Sequence, residues 1–112
     1  MSTDVVELIS EAWRQLRAAD LEGARSTFRA ALEIDDHNFE AWIGLGRCDR
    51  GSGDLDAAVD DFTRAASIQP TAARPFLERG AIEKLRGNYS DSLRDYKHAR
   101  QVDPAYPTLD SY

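Results

Sequence analysis

The stretch AWIGLGRCDRGSGDLDAAVDDFTRAASIQP, residues 41–70, holds two apolar patterns of helical period on either side of a glycine–aspartate pair. Before the pair, Trp42, Leu45 and Gly46 follow helical spacing. After it, an apolar stripe of period near 3.6 is made of Leu55, Ala58, Val59, Phe62, Ala65 and Ala66. Gly53 suits the position just after a helix, and Asp54 suits the N-cap of the next. The stretch therefore predicts a helix-turn-helix hairpin.

The same pattern recurs along the chain with a period of 34 residues. The matched columns include large apolar residues at Leu8, Trp42 and Phe76, small residues at Ala12, Gly46 and Gly80, and aromatic residues at Phe28, Phe62 and Tyr96. One helical hairpin is too small to bury its own apolar face, so neighbouring copies must stack to form a core.

The pattern predicts an all-α domain over residues 1–106, built from repeats 5–38, 39–72 and 73–106, with a short tail at 107–112. No stretch alternates apolar and polar residues as a strand does. The predicted helices are 4–18, 21–34, 39–51, 55–68, 73–86 and 89–102. Pro75 lies in the first turn of the fifth helix and is expected to steer Arg74 away from α geometry.

The W-x-x-L-G pattern, the G-D turn, the later A-x3-F-x2-A and the closing proline resemble the tetratricopeptide repeat. Trp42, Leu45 and Gly46 carry the first motif, and the three repeats cover almost the whole chain. The first repeat departs from the family pattern at Glu11 and Asp36, and the third departs at Arg79 in the same column as Glu11. The resemblance implies a right-handed α–α superhelix of three units, whose first helices line a concave groove for partner segments. Family members are scaffolds and adaptors, and the repeat carries no catalysis.

Composition narrows the possible functions. The 112-residue chain has a formal charge of -6, which disfavours nucleic acid as a partner. Cys48 is the single cysteine, so an intrachain disulfide is impossible and a reducing compartment is expected. The N-terminus lacks the pattern of a secretory signal, and no stretch is apolar enough to span a membrane. These features favour a cytoplasmic protein without a membrane contact.

If the resemblance holds, one set of first-helix residues faces the groove: Ile9, Trp13, Ile43, Arg47, Arg50, Arg74, Leu77 and Lys84. They predict an apolar floor with a basic flank, while Asp56, Asp60 and Asp61 lie on the outer helices. The partner is then a protein or peptide segment with apolar anchors and acidic residues. The alternative is that the aliphatic residues are ordinary packing and the arginines a solvated face.

One subset of the family grips acidic chaperone tails with a clamp of Lys, Asn, Asn, Lys and Arg. At the matching positions this chain has Ile9, Trp13, Gly44, Arg74 and Glu78. Arg74 alone is compatible with that clamp, and Glu78 would repel a carboxylate. The clamp function is therefore not expected.

No catalytic, metal or cofactor site is predicted. Cys48 has no histidine beside it and is read as a small buried helix residue. His37 and His98 are isolated in sequence and do not make a metal site. The glycines between residues 44 and 53 do not complete a phosphate-binding motif. A binding role is favoured over an enzyme.

The end of the chain raises a second hypothesis, because no separate capping helix follows the sixth helix. Leu93, Tyr96 and Val102 are expected to leave an apolar edge uncovered. The chain is then a fragment, or it self-associates through this edge as a homo-oligomer or filament, or a partner covers the edge. The tail residues Tyr106, Leu109 and Tyr112 could form a partial lid. A third hypothesis is a helper domain of an enzyme or transport complex.

Overall fold

A computed structural model describes residues 4–104 and confirms the all-α fold class. Among these residues there are six helices and no strand. The helices are α1 (Val5–Arg17), α2 (Leu21–Ile34), α3 (Phe39–Gly51), α4 (Leu55–Ile68), α5 (Arg74–Leu85) and α6 (Tyr89–Val102). Four of them have the predicted bounds, and α1 and α5 are one residue shorter at each end than expected.

Polar side chains at the predicted helix starts determine where several helices begin. Asp54 accepts a hydrogen bond from the Ala57 backbone N–H at 3.1 Å, and so satisfies one of the donors that a helix start leaves open. The side chains of Asp4, Asp20 and Asn38 do the same for α1, α2 and α3. Asn88 occupies the N-cap of α6 without making such a bond.

The turns inside the hairpins use left-handed backbone. Gly53 and Gly87 have φ of +86° and +81°, where glycine carries no Cβ penalty. Ala19, at the equivalent place in the first repeat, has φ of +64°. Alanine adopts this conformation only at a cost of about 1 kcal/mol or more.

The expected displacement of Arg74 is wrong. Arg74 is the first residue of α5, and Pro75 lies at the start of the helix, where a missing N–H leaves no intrahelical bond unmade. Ala73 precedes them with φ of −73° and ψ of −32°, so the chain already enters the helix in α geometry.

Each first helix packs on its own second helix, and α2 with α3 and α4 with α5 join successive hairpins. The result is an elongated body of 47 × 26 × 20 Å. Phe28 and Phe62 are fully buried and organise the first two of three core clusters. A Cβ on Gly44 would lie 2.0 Å from the Phe28 ring, and one on Gly46 would lie 2.7 Å from Phe62. Positions 44 and 46 require glycine because the two phenylalanine rings fill the space that a side chain at either position would need.

A polar contact recurs between the helices of each hairpin. In the first repeat the Thr27 hydroxyl donates to Gln15 at 2.7 Å. The columns of these two residues hold Asp49 with Asp61 in the second repeat and Glu83 with Asp95 in the third. In the third repeat Arg79 donates to both Asp95 oxygens, at 2.9 and 2.7 Å. In every hairpin, the otherwise apolar contact between the two helices therefore includes one polar pair.

The prediction that Asp61 faces outward is wrong. Asp61 is only 7% exposed, whereas Asp56 and Asp60 lie on the surface as expected. Burial, and then the neighbouring Asp49 carboxylate, raise the pKa of Asp61 to about 9. Asp61 is therefore a neutral acid at pH 7, which lets it lie beside the buried Asp49 carboxylate. Arg25 of α2 approaches the same carboxylate at 3.1 Å from the preceding repeat.

Candidate functional site

The first helices line one side of the molecule, and that side is concave. α1 packs directly on α3. The guanidinium of Arg47 on α3 lies 5.8 Å from the centre of the Trp13 ring, and that of Arg74 on α5 lies 5.7 Å from the same ring. Side chains of the first and third repeats thus meet across the second. Such convergence requires a surface that curves inward, and we call the surface of α1, α3 and α5 the concave face.

The predicted basic flank is present, but an acid from the same face pairs with part of it. Glu78 is 13% exposed and accepts hydrogen bonds from Arg47 at 2.9 Å and from Arg50 at 2.8 Å. Its two oxygens therefore join two arginines of the neighbouring helix. The sequence showed that Glu78 disfavours the chaperone-tail clamp, but not that it would bind these arginines.

Arg74 and Lys84 extend the basic character beyond this bridge. Arg74 is 4.0 Å from the exposed Glu40 carboxylate, at the limit of an ion pair, and it also faces Trp13. An aromatic ring stabilises a cation through its quadrupole. Lys84 is exposed near the end of α5. The positive charge of the concave face therefore lies around Trp13 and toward the end of α5.

The predicted apolar floor is smaller than expected. The assignment of Ile43 to the groove is wrong, because its side chain is fully buried in the second core cluster with Phe62 and Ile82. Ile9 and Leu77 are half-buried against the first and third clusters and keep part of their surface. With Trp13, also half-buried, they form the apolar part of the concave face.

The predicted C-terminal edge is exposed in part. Leu93 is 54% exposed, whereas Val102 packs against the third cluster and Tyr96 is half-buried beside Gly80. Two residues that the prediction omitted are more exposed, Leu85 at 74% and Tyr89 at 68%. Their positions in the repeat gave a signal for this exposure. Leu85 corresponds to Gly51, and Tyr89 corresponds to Leu55, which packs against the second core cluster. The predicted lid residues Tyr106, Leu109 and Tyr112 lie outside the described residues.

A shallow depression accompanies these residues. Its volume is about 550 Å³, and its lining consists of Ala81, Lys84, Leu85, Tyr89 and Tyr96. In the first two repeats, the corresponding aromatic side chains Phe28 and Phe62 are fully buried. Tyr96 instead keeps part of its surface at this end.

The remaining chemical groups fit structural roles. Cys48 is fully buried as predicted, and burial raises the pKa of its thiol to about 11, which keeps it protonated at neutral pH. Asp35, Asp36 and His37 bring three possible ligand atoms within 4.8 Å of one another, but all three residues are exposed and consecutive. These atoms lie close together because the three residues are consecutive in the sequence. None of the helices within residues 4–104 combines the length and apolar character needed to cross a bilayer.

Comparison with known sequences places the chain among repeat proteins. A family model described as tetratricopeptide repeat matches residues 15–74. The protein CTR9 homolog of Arabidopsis thaliana is 32% identical over 80 residues, which are 71% of this chain and 7% of that protein. Tetratricopeptide repeat protein 36 of Bos taurus is 28% identical over 89 residues, 76% of this chain and 47% of that one. The chain thus spans less than half of either relative.

A solved structure with the same fold contains a bound peptide. It is the Yersinia enterocolitica type III secretion chaperone SycD with a peptide of the translocator YopD. It superposes with a TM-score of 0.89 at 22% identity, covering 98% of this chain and 85% of that one. At this identity the likeness shows the fold alone.

Proposed function

Because the chain belongs to the tetratricopeptide repeat family, we propose that it is a protein-interaction module that holds a partner segment on its concave face. The convergence of Trp13, Arg47 and Arg74 from three successive repeats carries the proposal. An aromatic ring flanked by guanidinium groups combines the residue types that most often anchor interfaces. The peptide-bound SycD structure supports the proposal by analogy of fold. A binding role, rather than catalysis, is part of the proposal, and so is a cytoplasmic location.

The chemistry of the face indicates the class of partner. Ile9, Trp13 and Leu77 offer apolar surface, and Arg74 and Lys84 add positive charge to a protein whose net charge is -6. Glu78 accepts one hydrogen bond from each of Arg47 and Arg50 and so offsets part of their charge. The partner is therefore an extended or helical segment with apolar anchors and with acidic residues that meet the cations of the concave face.

The test compares two variants that change the net charge equally. The full chain is used to capture its partner from native lysate, and the affinity for the identified segment is then measured by calorimetry. In the Arg74→Glu, Lys84→Glu variant, two cations of the concave face become anions. We expect at least about tenfold weaker binding, because opposite charges now face the acidic residues.

The control variant, Arg29→Glu with Arg64→Glu, places the same charge change on the outer helices α2 and α4, where both residues are exposed. It is expected to bind like the wild type once circular dichroism shows equal helicity for all three proteins. Equal losses in both variants, or a loss in the control alone, would show that the concave face is not the binding site.

A second candidate function is self-association through the C-terminal end. The exposure of Leu85, Tyr89 and Leu93 favours it, because monomeric proteins seldom expose large side chains of this kind side by side. Its exposed apolar side chains lie on another surface than the concave face, and Lys84 borders both, because it also lines the depression at this end.

A further inference from the structure

We propose that the C-terminal end surface, formed by Leu93, Tyr96 and Lys97 of α6 with Lys84 of α5, binds an amphipathic helix of another protein whose apolar residues are flanked by carboxylates. This helix would lie on α6 as α5 lies on α4. The inference goes beyond binding at the concave face, and it names a different occupant for the surface on which self-association would depend.

The second repeat shows how a covering helix contacts a surface of this kind. α5 packs on α4. Ile82 of α5 is buried in the second core cluster with Phe62, and Val59 packs against the same cluster. Beside this apolar contact, Arg79 of α5 donates a hydrogen bond to the Thr63 hydroxyl at 3.0 Å. The covering helix therefore contributes an apolar residue and, three positions before it, a polar one.

The third repeat keeps the apolar part of this contact, and no helix within residues 4–104 covers it. Leu93 and Tyr96 stand 34 residues after Val59 and Phe62 and so take their places in the repeat. Leu93 is 54% exposed, and Tyr96 lines the depression of about 550 Å³. An apolar side chain in the place of Ile82 would therefore lie against Tyr96 at this depression.

The polar part of the contact is cationic in the third repeat. Lys97 is exposed and takes the place of Thr63, so an acid in the place of Arg79 would meet an ammonium group. Arg100, on the next turn of α6, takes the place of the small residue Ala66. Cations on two successive turns of one helix face favour a partner that carries carboxylates at matching positions.

A carboxylate of the expected kind already contacts the preceding repeat within this chain. Glu78 of α5 accepts hydrogen bonds from Arg47 at 2.9 Å and from Arg50 at 2.8 Å. Lys84 stands 34 residues after Arg50, and it lines the depression at the C-terminal end. A carboxylate in the place of Glu78 would therefore lie near Lys84. The contact inside the chain thus predicts both the charge and the position of one partner residue.

A second copy of this chain fits the surface less well. If α1 of another copy lay on α6, Arg14 would take the place of Ile82 and add a third cation beside the two lysines. Glu11, which would take the place of Arg79, already pairs with Arg14. In a two-fold contact, the basic surface would face itself. The charges therefore favour a different protein with an acidic helix.

Calorimetry with two synthetic peptides tests the inference. Both peptides follow residues 71–87, with alanine in place of Gly80 to favour the isolated helix. The acidic peptide carries Phe76→Glu and Arg79→Glu, which together with Glu78 give three carboxylates. The basic peptide has lysine at the same three positions. The acidic peptide should bind the full chain at least about tenfold more tightly than the basic one.

Charge reversal on α6 locates the binding. Lys97→Glu should weaken binding of the acidic peptide at least about fivefold, because an attraction becomes a repulsion. The matched control is Arg94→Glu, one turn away on the same helix. Arg94 is 77% exposed and lies 3.4 Å from Asp91, on the side of α6 that faces the preceding repeat. This control should bind the peptide like the wild type once circular dichroism shows equal helicity.

Alkylation of an introduced thiol shows whether the peptide covers the surface. Leu93→Cys should react with N-ethylmaleimide in the full chain. The acidic peptide, at about ten times its Kd for this variant, should slow the reaction at least about fivefold. Cys48 does not interfere, because it is buried. Val6→Cys, at a position that is 68% exposed at the opposite end, should react equally fast with and without the peptide.

Loss of binding in Lys97→Glu but not in Arg94→Glu, with protection of position 93, would support the inference. No binding of the acidic peptide at about 1 mM, equal binding of both peptides, or equal losses in the two variants would overturn it. An unreactive thiol in Leu93→Cys without peptide would also overturn it, because the surface would already be covered. A mass of twice 12.5 kDa by light scattering would then identify a second copy as the cover. Lys97→Glu should keep the affinity for the concave-face partner, which separates this inference from that function.

Discussion

The second and third repeats place acids at the same two positions between their helices but stabilise them differently. In the second repeat, Asp61 retains a proton beside Asp49. In the third, Arg79 takes the place of the buried Leu45 and pairs with Asp95 through two hydrogen bonds. A buried carboxylate can thus be accommodated by a proton or by a cation. The proton on Asp61 makes the stability of the second repeat depend on pH. The ion pair makes the stability of the third repeat depend on the Arg79 side chain.

The largest effect of a single substitution at one pH is expected in the third repeat. Arg79→Ala should lower the free energy of unfolding by about 3 kcal/mol, because it leaves the buried Asp95 carboxylate without its cation. The side chain of Asp95 is only 7% exposed. Urea unfolding followed by circular dichroism measures the change.

Arg94→Ala is the matched control for this prediction. Its side chain is 77% exposed, and its ion pair with Asp91 lies on the surface. Its loss should cost less than about 0.5 kcal/mol. Equal costs for the two variants would contradict the view that burial gives the Arg79 pair its importance.

The second effect is a pH dependence that belongs to the second repeat. The folded protein holds the Asp61 proton up to about pH 9, whereas an unfolded chain releases it near pH 4. Between these values the folded state binds more protons, so the free energy of unfolding falls as the pH rises. The slope should approach about 1 kcal/mol per pH unit, below the limit of about 1.4 for one proton.

Asp61→Asn should remove this part of the slope, because its amide donates to Asp49 without titrating. The exposed neighbour Asp60 supplies the control, and Asp60→Asn should keep the slope of the wild type. Unfolding measured at several values between about pH 5 and pH 8 tests the difference. Parallel pH profiles for the wild type and Asp61→Asn would show that Asp61 does not retain the proton.

The smallest effect compares the starts of the second helices. Asp54 caps α4 with a hydrogen bond to the Ala57 N–H, and Asn88 makes no such bond to α6. Asp54→Ala should therefore cost about 1 kcal/mol and Asn88→Ala only a few tenths. Thermal unfolding of the two variants distinguishes them, and a reversed order would contradict the assigned roles of the caps.

The fold could be predicted because local signals and the repeat agree. The glycine–aspartate pair at Gly53 and Asp54 marks both a helix end and a helix start, and the 34-residue columns repeat the same information three times. The bounds of α2, α3, α4 and α6 follow from these signals alone. Pro75 did not displace Arg74, because this proline lies in the first turn of α5 and Arg74 before it is itself helical.

The surfaces were harder to predict, because they depend on contacts between distant residues. Ile43 lies one helix position from the core stripe, and only the packing of side chains such as Phe62 of α4 and Ile82 of α5 against it determines that it is buried. Glu78 reaches arginines about 30 residues away in sequence. The inward position of Asp61 could have been recognised from the repeat. Its column is polar in all three repeats, with Thr27 and Asp95 in the other two. It faces a second polar column, which consists of Gln15, Asp49 and Glu83. A polar residue kept opposite another in every repeat indicates a shared internal contact.

The contact between Trp13 and Arg74 gives the molecule a mechanical property. Stacked repeats usually contact only their nearest neighbours, so each turn can flex almost independently. Here a side chain of the first turn touches one of the third, at 5.7 Å from ring centre to guanidinium carbon. The contact therefore links the first and third repeats across the concave face and limits how far the repeats can move apart. A partner segment that enters between these two residues must break their contact, so binding at this face is expected to change the curvature of the body.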